Sequence, residues 1–165
     1  MANDKILEVK DLSVSFNTYA GEVKAVRGVS FELNRGETLA FVGESGCGKT
    51  VTAKSILRLL KPPFAVIKEG SKITCDGKDV LSLNKKELCE FRGDEVSMIF
   101  QDPMTSLNPV YTVGDQVAEV IKLHYPDYNS SQVEARVDEL FLMVGLPPER
   151  KTEFPHQFSG GMRQR

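Results

Sequence analysis

Residues 43–50 read Gly-Glu-Ser-Gly-Cys-Gly-Lys-Thr, and no other stretch limits the fold so tightly. They fit the pattern GxxxxGK[ST]. The apolar run Thr38–Val42 precedes them and reads as a strand covered on both faces. Thr50–Leu60 follows with Val51, Ala53, Ile56, Leu57, Leu59 and Leu60, a mostly buried helix stopped by Pro62-Pro63. Strand, glycine-rich turn and helix in that order make a cradle for an anion. Glycines let successive backbone N–H groups point inward, and the helix start adds partial positive charge. In such a loop Lys49 reaches the β and γ phosphates of a nucleotide, and the Thr50 hydroxyl holds Mg²⁺. The candidate binding residues are Gly43, Glu44, Ser45, Gly46, Cys47, Gly48, Lys49, Thr50 and the adjoining Val51.

Around this loop the N-terminal part reads as strands. Ile6, Val9, Leu12, Val14 and Phe16 alternate loosely with polar residues, and Val29, Phe31 and Leu33 recur at period two. Tyr19–Glu22 and Asn34–Glu37 read as turns, and Lys72–Val80 as a hairpin turning at Asp76-Gly77. Asn84 with Glu87 resembles a capping box, and Val96–Phe100 is a further apolar strand. Gln101 follows it. The sequence Met98-Ile99-Phe100-Gln101-Asp102 breaks the apolar-strand-plus-aspartate pattern of a Mg²⁺ site. Gln101 therefore reads as a metal- and water-contacting glutamine at the mouth of a loop, although alone it is an ordinary loop glutamine.

Beyond residue 101 the texture becomes helical. Thr112 starts a helix with Val113, Val117, Val120 and Ile121 on one face. Ser131 and Glu134 suggest a capping box for a second helix with Val133, Val137, Leu140, Phe141 and Val144, ended by Gly145 and Pro147-Pro148. Ser159-Gly160-Gly161-Met162 opens a last helix with Ser159 as N-cap. Its two glycines leave N–H groups open to an anion, or simply form a capped turn.

Composition narrows the classes. The 165 residues carry 21 Lys and Arg against 23 Asp and Glu, a net charge of −2 that does not advertise a nucleic-acid partner. Cys47, Cys75 and Cys89 form no CxxC pair, which argues against a zinc site or a disulfide framework and for a reduced compartment. The polar Met1–Lys10 stretch shows no signal peptide, and no apolar run approaches the ~20 residues that span a bilayer.

Three phrases together resemble the ATP-binding cassette (ABC) transporter ATPases: Val42–Lys49, Phe100–Pro109 and Pro155–Arg165. Their wording is similar to the dipeptide, oligopeptide and nickel importer branch. The resemblance implies an α/β fold, the P-loop NTPase nucleotide-binding domain in incomplete form. Residues 1–101 would carry antiparallel β structure, a partial P-loop core and the Q-loop glutamine Gln101, and 102–165 a helical subdomain. It implies ATP and Mg²⁺ as cofactors, with Thr50 and Gln101 on the metal. Phe16, or alternatively Tyr19, would stack on adenine. Phe158–Met162 looks like the family signature LSGGQ, with Phe for Leu and Met for Gln, so Ser159, Gly160, Gly161 and Met162 would meet the ATP of an opposite protomer.

Implied partners are a second ATPase subunit, identical or different, transmembrane permease subunits and, indirectly, an extracytoplasmic solute-binding protein. The implied location is cytoplasmic, peripheral on the inner face of the cell membrane. The family pattern continues past Arg165 with a Mg²⁺-binding Asp, a catalytic Glu and a switch histidine. The resemblance thus implies an ATP-hydrolysing subunit of an importer for peptides or nickel, coupling ATP binding and hydrolysis to transport, of which this chain is expected to be an N-terminal portion with no catalytic residue of its own and no turnover alone. A nucleotide-binding module without hydrolysis, or an ABC ATPase outside transport, are the rival readings.

Overall fold

The computed structural model of the protein describes residues 4–102 and 105–165. Met1–Asn3 of the N-terminal stretch, and Pro103 and Met104 within the Phe100–Pro109 phrase, lie outside the described residues. The chain divides between Ser97 and Met98 into two compact units.

The first unit is built on one long strand. β1 (Lys5–Thr18) pairs antiparallel with β2 (Gly21–Asn34) along one edge. Its other edge is shared by β3 (Ala65–Ile67) and β4 (Lys72–Cys75), and β5 (Lys78–Asp79) pairs with β4. Val9, Leu12 and Val14 are all fully buried, although Val9 and Leu12 are three residues apart. A shift of register against β2 between Val9 and Leu12 reconciles that spacing with one core face. There Asp11 takes a positive φ of 49°, and hydroxyls replace the ladder. Ser30 Oγ accepts from the Asp11 N–H at 2.8 Å, and Ser71 Oγ from the Ser13 N–H at 3.0 Å. Ile73, Val80 and Phe91 complete this core. The β4–β5 turn has Asp76 at φ 45° and Gly77 at φ 80°, as a two-residue hairpin requires.

The helix after the phosphate loop, α1 (Lys49–Ile56), stops before Leu60. Arg58 takes the left-handed conformation, and the Leu59 N–H bonds back to the Lys54 carbonyl at 2.9 Å, which closes the helix. Arg92 donates from Nε to the Leu57 carbonyl at 2.7 Å and from Nη2 to that of Arg58, satisfying acceptors the helix end leaves open. Arg92 lies in a π-helical turn (Phe91–Glu95) that continues α2 (Lys85–Glu90). The Asn84–Glu87 capping box forms as read from the sequence.

The strands expected at Thr38–Val42 and Val96–Phe100 are not formed. A strand exists only with a hydrogen-bonded neighbour, and no strand among the described residues pairs with either segment. Their apolar side chains stay open: Val42 is 94% and Ile99 93% exposed.

The second unit packs α3 (Val113–His124) against α4 (Ser130–Met143). Val113 and Ile121 meet Val133, Val137 and Phe141, with Leu146 and Phe158 closing the cluster. Thr112 caps α3 as expected. α4 begins earlier than the Ser131–Glu134 reading. Asn129 and Gln132 exchange the capping-box bonds at 3.0 and 2.9 Å, which places Ser131 and Glu134 inside the helix. A 3-10 turn (Pro148–Thr152) runs so close to α3 that a Cβ on Gly114 would lie 2.7 Å from the Lys151 carbonyl oxygen. A second 3-10 turn (Pro155–Gln157) leads to α5 (Gly160–Gln164). Among the described residues no helix is long and apolar enough to cross a membrane.

Candidate functional site

The phosphate-loop sequence leaves the extended segment, turns through residues 45–48 and enters α1. Gly46 and Gly48 take φ of 83° and 98°, which side-chain-bearing residues rarely adopt. Gly48 is also sterically required, because a Cβ there would sit 2.6 Å from the Ala25 carbonyl oxygen of β2. The close approach of loop and β2 fixes where α1 begins. No side chain caps α1 and no acid stands in its first turn, so its N-terminal partial charge is not offset from within.

The Lys49 ammonium folds back over the loop. Nζ donates to the carbonyl oxygens of Gly43 at 2.8 Å and Glu44 at 2.7 Å, and lies 3.5 Å from Cys47 Sγ. Glu44, Ser45, Gly46, Cys47 and Thr50 are exposed, and Val51 is half-buried. Gly46–Lys49 and Thr52 share a cavity of about 790 Å³ with β2 and with Phe41. Lys24, Arg27 and Lys49 all line it, and none of its lining residues among those described carries a carboxylate. An anion there meets cationic side chains and no described carboxylate.

The other candidates lie on other elements. Phe16 is half-buried in β1, opposite Val23 of β2 and Ala65 of β3. Tyr19 is fully exposed in the β1–β2 turn. Neither lines the cavity. Gln101 is exposed and belongs to the second unit.

The signature segment also lies in the second unit. Phe158 is 3% exposed and anchors it in the helical core. Ser159 Oγ accepts from the Met162 N–H at 3.4 Å, the N-cap expected for α5. Ser159, Gly160 and Gly161 are exposed, whereas Met162 is half-buried and packs on the core. The backbone of the two glycines, rather than the side chain at 162, is what this turn offers outward. Arg92 and Arg150, which brace α1 and the signature turn, escape sequence reading: Arg92 binds carbonyls 34 and 35 residues away and Arg150 groups 3 to 12 residues away, with no motif to mark either.

Residues 26–165 match the sequence family described as ABC transporter. The chain belongs to that family. It is 52% identical over 163 residues to the oligopeptide transport ATP-binding protein OppD of Bacillus subtilis (strain 168), covering 98% of this chain and 45% of that protein. It is 51% identical to the dipeptide transport ATP-binding protein DppD of the same strain, covering 98% of this chain and 48% of that one. The chain spans about half the length of the curated relatives it matches. Among solved structures it resembles the dimeric post-hydrolysis ATP-binding cassette MJ0796 bound to ADP and Pi, with a TM-score of 0.80 at 23% identity over 95% of this chain and 65% of that one. It also resembles cbiO1 from Clostridium perfringens, part of the transporter complex cbiONQ, with a TM-score of 0.72 at 25% identity over 98% and 59%. The fold class is that of an ABC ATPase cassette in incomplete form.

Proposed function

We propose that this chain binds Mg-ATP at residues 43–51 and serves as the ATP-binding part of an importer for peptides or nickel, whose full-length protein couples ATP binding and hydrolysis to transport. One observation carries the reading. A complete GxxxxGK[ST] loop opens α1 beside a cavity lined by three cations and no described carboxylate. The names of the OppD and DppD relatives support the peptide branch.

The mechanism follows from the loop. Lys49 now donates to neutral carbonyls. A triphosphate would offer it oxygens of opposite charge, adding an ion-pair attraction that a neutral carbonyl lacks, so the ammonium would turn to the β and γ phosphates. Backbone N–H groups of the loop and of the α1 start take the remaining phosphate oxygens. The hydroxyl of exposed Thr50 and the amide oxygen of exposed Gln101 are neutral oxygen donors of the kind Mg²⁺ accepts alongside phosphates. Thr50 and Gln101 would hold Mg²⁺, which would supply charge neutralisation to the phosphates.

Phe16, with Tyr19 as the alternative, packs on adenine. Ser159, Gly160 and Gly161, with Met162 behind them, face the ATP held by a second ATPase subunit, identical or different. Membrane permease subunits and, through them, an extracytoplasmic solute-binding protein complete the assembly at the inner face of the cell membrane. No nucleic acid takes part.

Cys47 makes this sandwich testable. In a Cys89→Ser, Ser159→Cys chain, mild oxidation is expected to join residue 47 of one copy to residue 159 of another, and Mg-ATP, which would lie between them over Cys47, is expected to slow the join. A crosslink that forms equally fast with and without Mg-ATP contradicts the sandwich, and none at all contradicts pairing between identical subunits.

A further inference from the structure

One guanidinium touches both flanks of the exposed Ser159-Gly160-Gly161 turn. Arg150 donates from Nη2 to the Gln157 carbonyl oxygen at 3.1 Å. Its Cζ lies 4.9 Å from the centroid of the Phe158 ring. Its Nη1 donates to Met162 Sδ at 3.3 Å. The guanidinium is itself fixed by Glu153, whose Oε2 accepts from Nε at 2.9 Å and from Nη2 at 2.7 Å. The Glu153 carbonyl in turn accepts from the Val113 N–H at 2.9 Å, at the start of α3. A continuous set of contacts thus runs from the helical core to residues 157, 158 and 162.

We propose that Arg150 is the positioning residue of the signature turn, setting the backbone conformation in which Ser159, Gly160 and Gly161 are presented. What the turn is for rests on the nucleotide reading above; that Arg150 holds it does not. Two consecutive glycines carry the largest backbone freedom of any pair, and neither meets a neighbour within 4 Å of where a Cβ would stand. Their order has to come from their flanks. Residues 157 and 158 fix the entry and residue 162 the exit, and Arg150 touches all three. Arg163 adds one further bond, from Nε to the Phe158 carbonyl at 3.0 Å. Only a planar fork can bind a carboxylate, a carbonyl and a sulfur while stacking on a ring. A lysine ammonium keeps the charge and loses that geometry.

The alternative is that Arg150 merely helps hold the helical unit together. Backbone ¹⁵N relaxation on the 165-residue chain without nucleotide separates the two. In Arg150→Met and Arg150→Lys, the order parameters of Gly160 and Gly161 are expected to fall from about 0.85 to below roughly 0.6, with Ile121 and Val137 unchanged. A fall shared by Ile121 and Val137 marks a structural role and overturns the proposal, as does no fall at all. If Arg150→Met does not fold, Arg150→Lys is read by itself. Glu153→Gln supplies an independent variant, expected to loosen the same two glycines by a smaller amount. Because no nucleotide is present, failure of the ATP reading leaves this result standing.

Discussion

The Lys49 ammonium lies 2.8 Å from the Gly43 carbonyl oxygen, so the first and seventh residues of the phosphate loop close it from within. Cys47 stands beside that contact, exposed, with Sγ 3.5 Å from the same ammonium. A phosphate drawing Lys49 away would also cover Cys47. Maleimide labelling of Cys47, in a Cys89→Ser chain, is therefore expected to slow when Mg-ATP is added, and labelled chains to lose ATP binding. Labelling at the same rate with and without Mg-ATP contradicts this placement.

Gly48 is where loop and β2 nearly touch. Adding a methyl group meets both the 98° φ and the Ala25 carbonyl at 2.6 Å. Gly48→Ala is expected to cost about 1–3 kcal/mol and to displace the start of α1. Chemical denaturation measures the first effect. Amide shifts confined to β2 and the loop report the second.

Gly114 plays the same part in the second unit. Alanine there would overlap the Lys151 carbonyl oxygen at 2.7 Å, and this contact is backbone and cannot swing aside. Gly114→Ala is expected to lose about 1–3 kcal/mol in hydrogen-exchange protection of α3 and α4. Equal loss in β1 and β4 would show that the two units do not unfold separately.

Glu8 supplies a pH dependence. Lys10 at 2.8 Å and Lys5 at 2.7 Å hold its carboxyl at about 2, against an ordinary 4.5. A folded-state pKa below the unfolded one stabilises the fold above the unfolded value, and the benefit fades as pH falls through the folded one. The Tm gap between the wild-type chain and Glu8→Gln is thus expected to be constant near neutral pH and to close between about pH 4.5 and pH 2. A gap unchanged down to about pH 2 contradicts the pairing.

Local signals proved readable where they are contiguous. The phosphate loop is eight adjacent residues, and the Asn84–Glu87 box, the Asp76-Gly77 turn, the Thr112 cap and the Ser159 cap each lie within a few positions. What was hidden depends on partners. Val9, Leu12 and Val14 share one face only because of a register shift, which no period-two pattern shows. The runs 38–42 and 96–100 have strand composition, but composition cannot supply a neighbouring strand. Asn129 outcompeted Ser131 as a cap because its partner Gln132 returns the second bond. Arg58 ended α1 early by taking a conformation usually left to glycine, held by its bonds to the Val80 and Leu83 carbonyls.

Calorimetric titration of the 165-residue chain with Mg-ATP tests the nucleotide reading most directly, with Lys49→Ala beside it. Saturable one-to-one binding by the wild-type chain is expected, weakened roughly 10- to 100-fold in Lys49→Ala through loss of a charge-assisted bond. No binding by the wild-type chain, or equal binding by Lys49→Ala, would contradict residues 43–51 as the site.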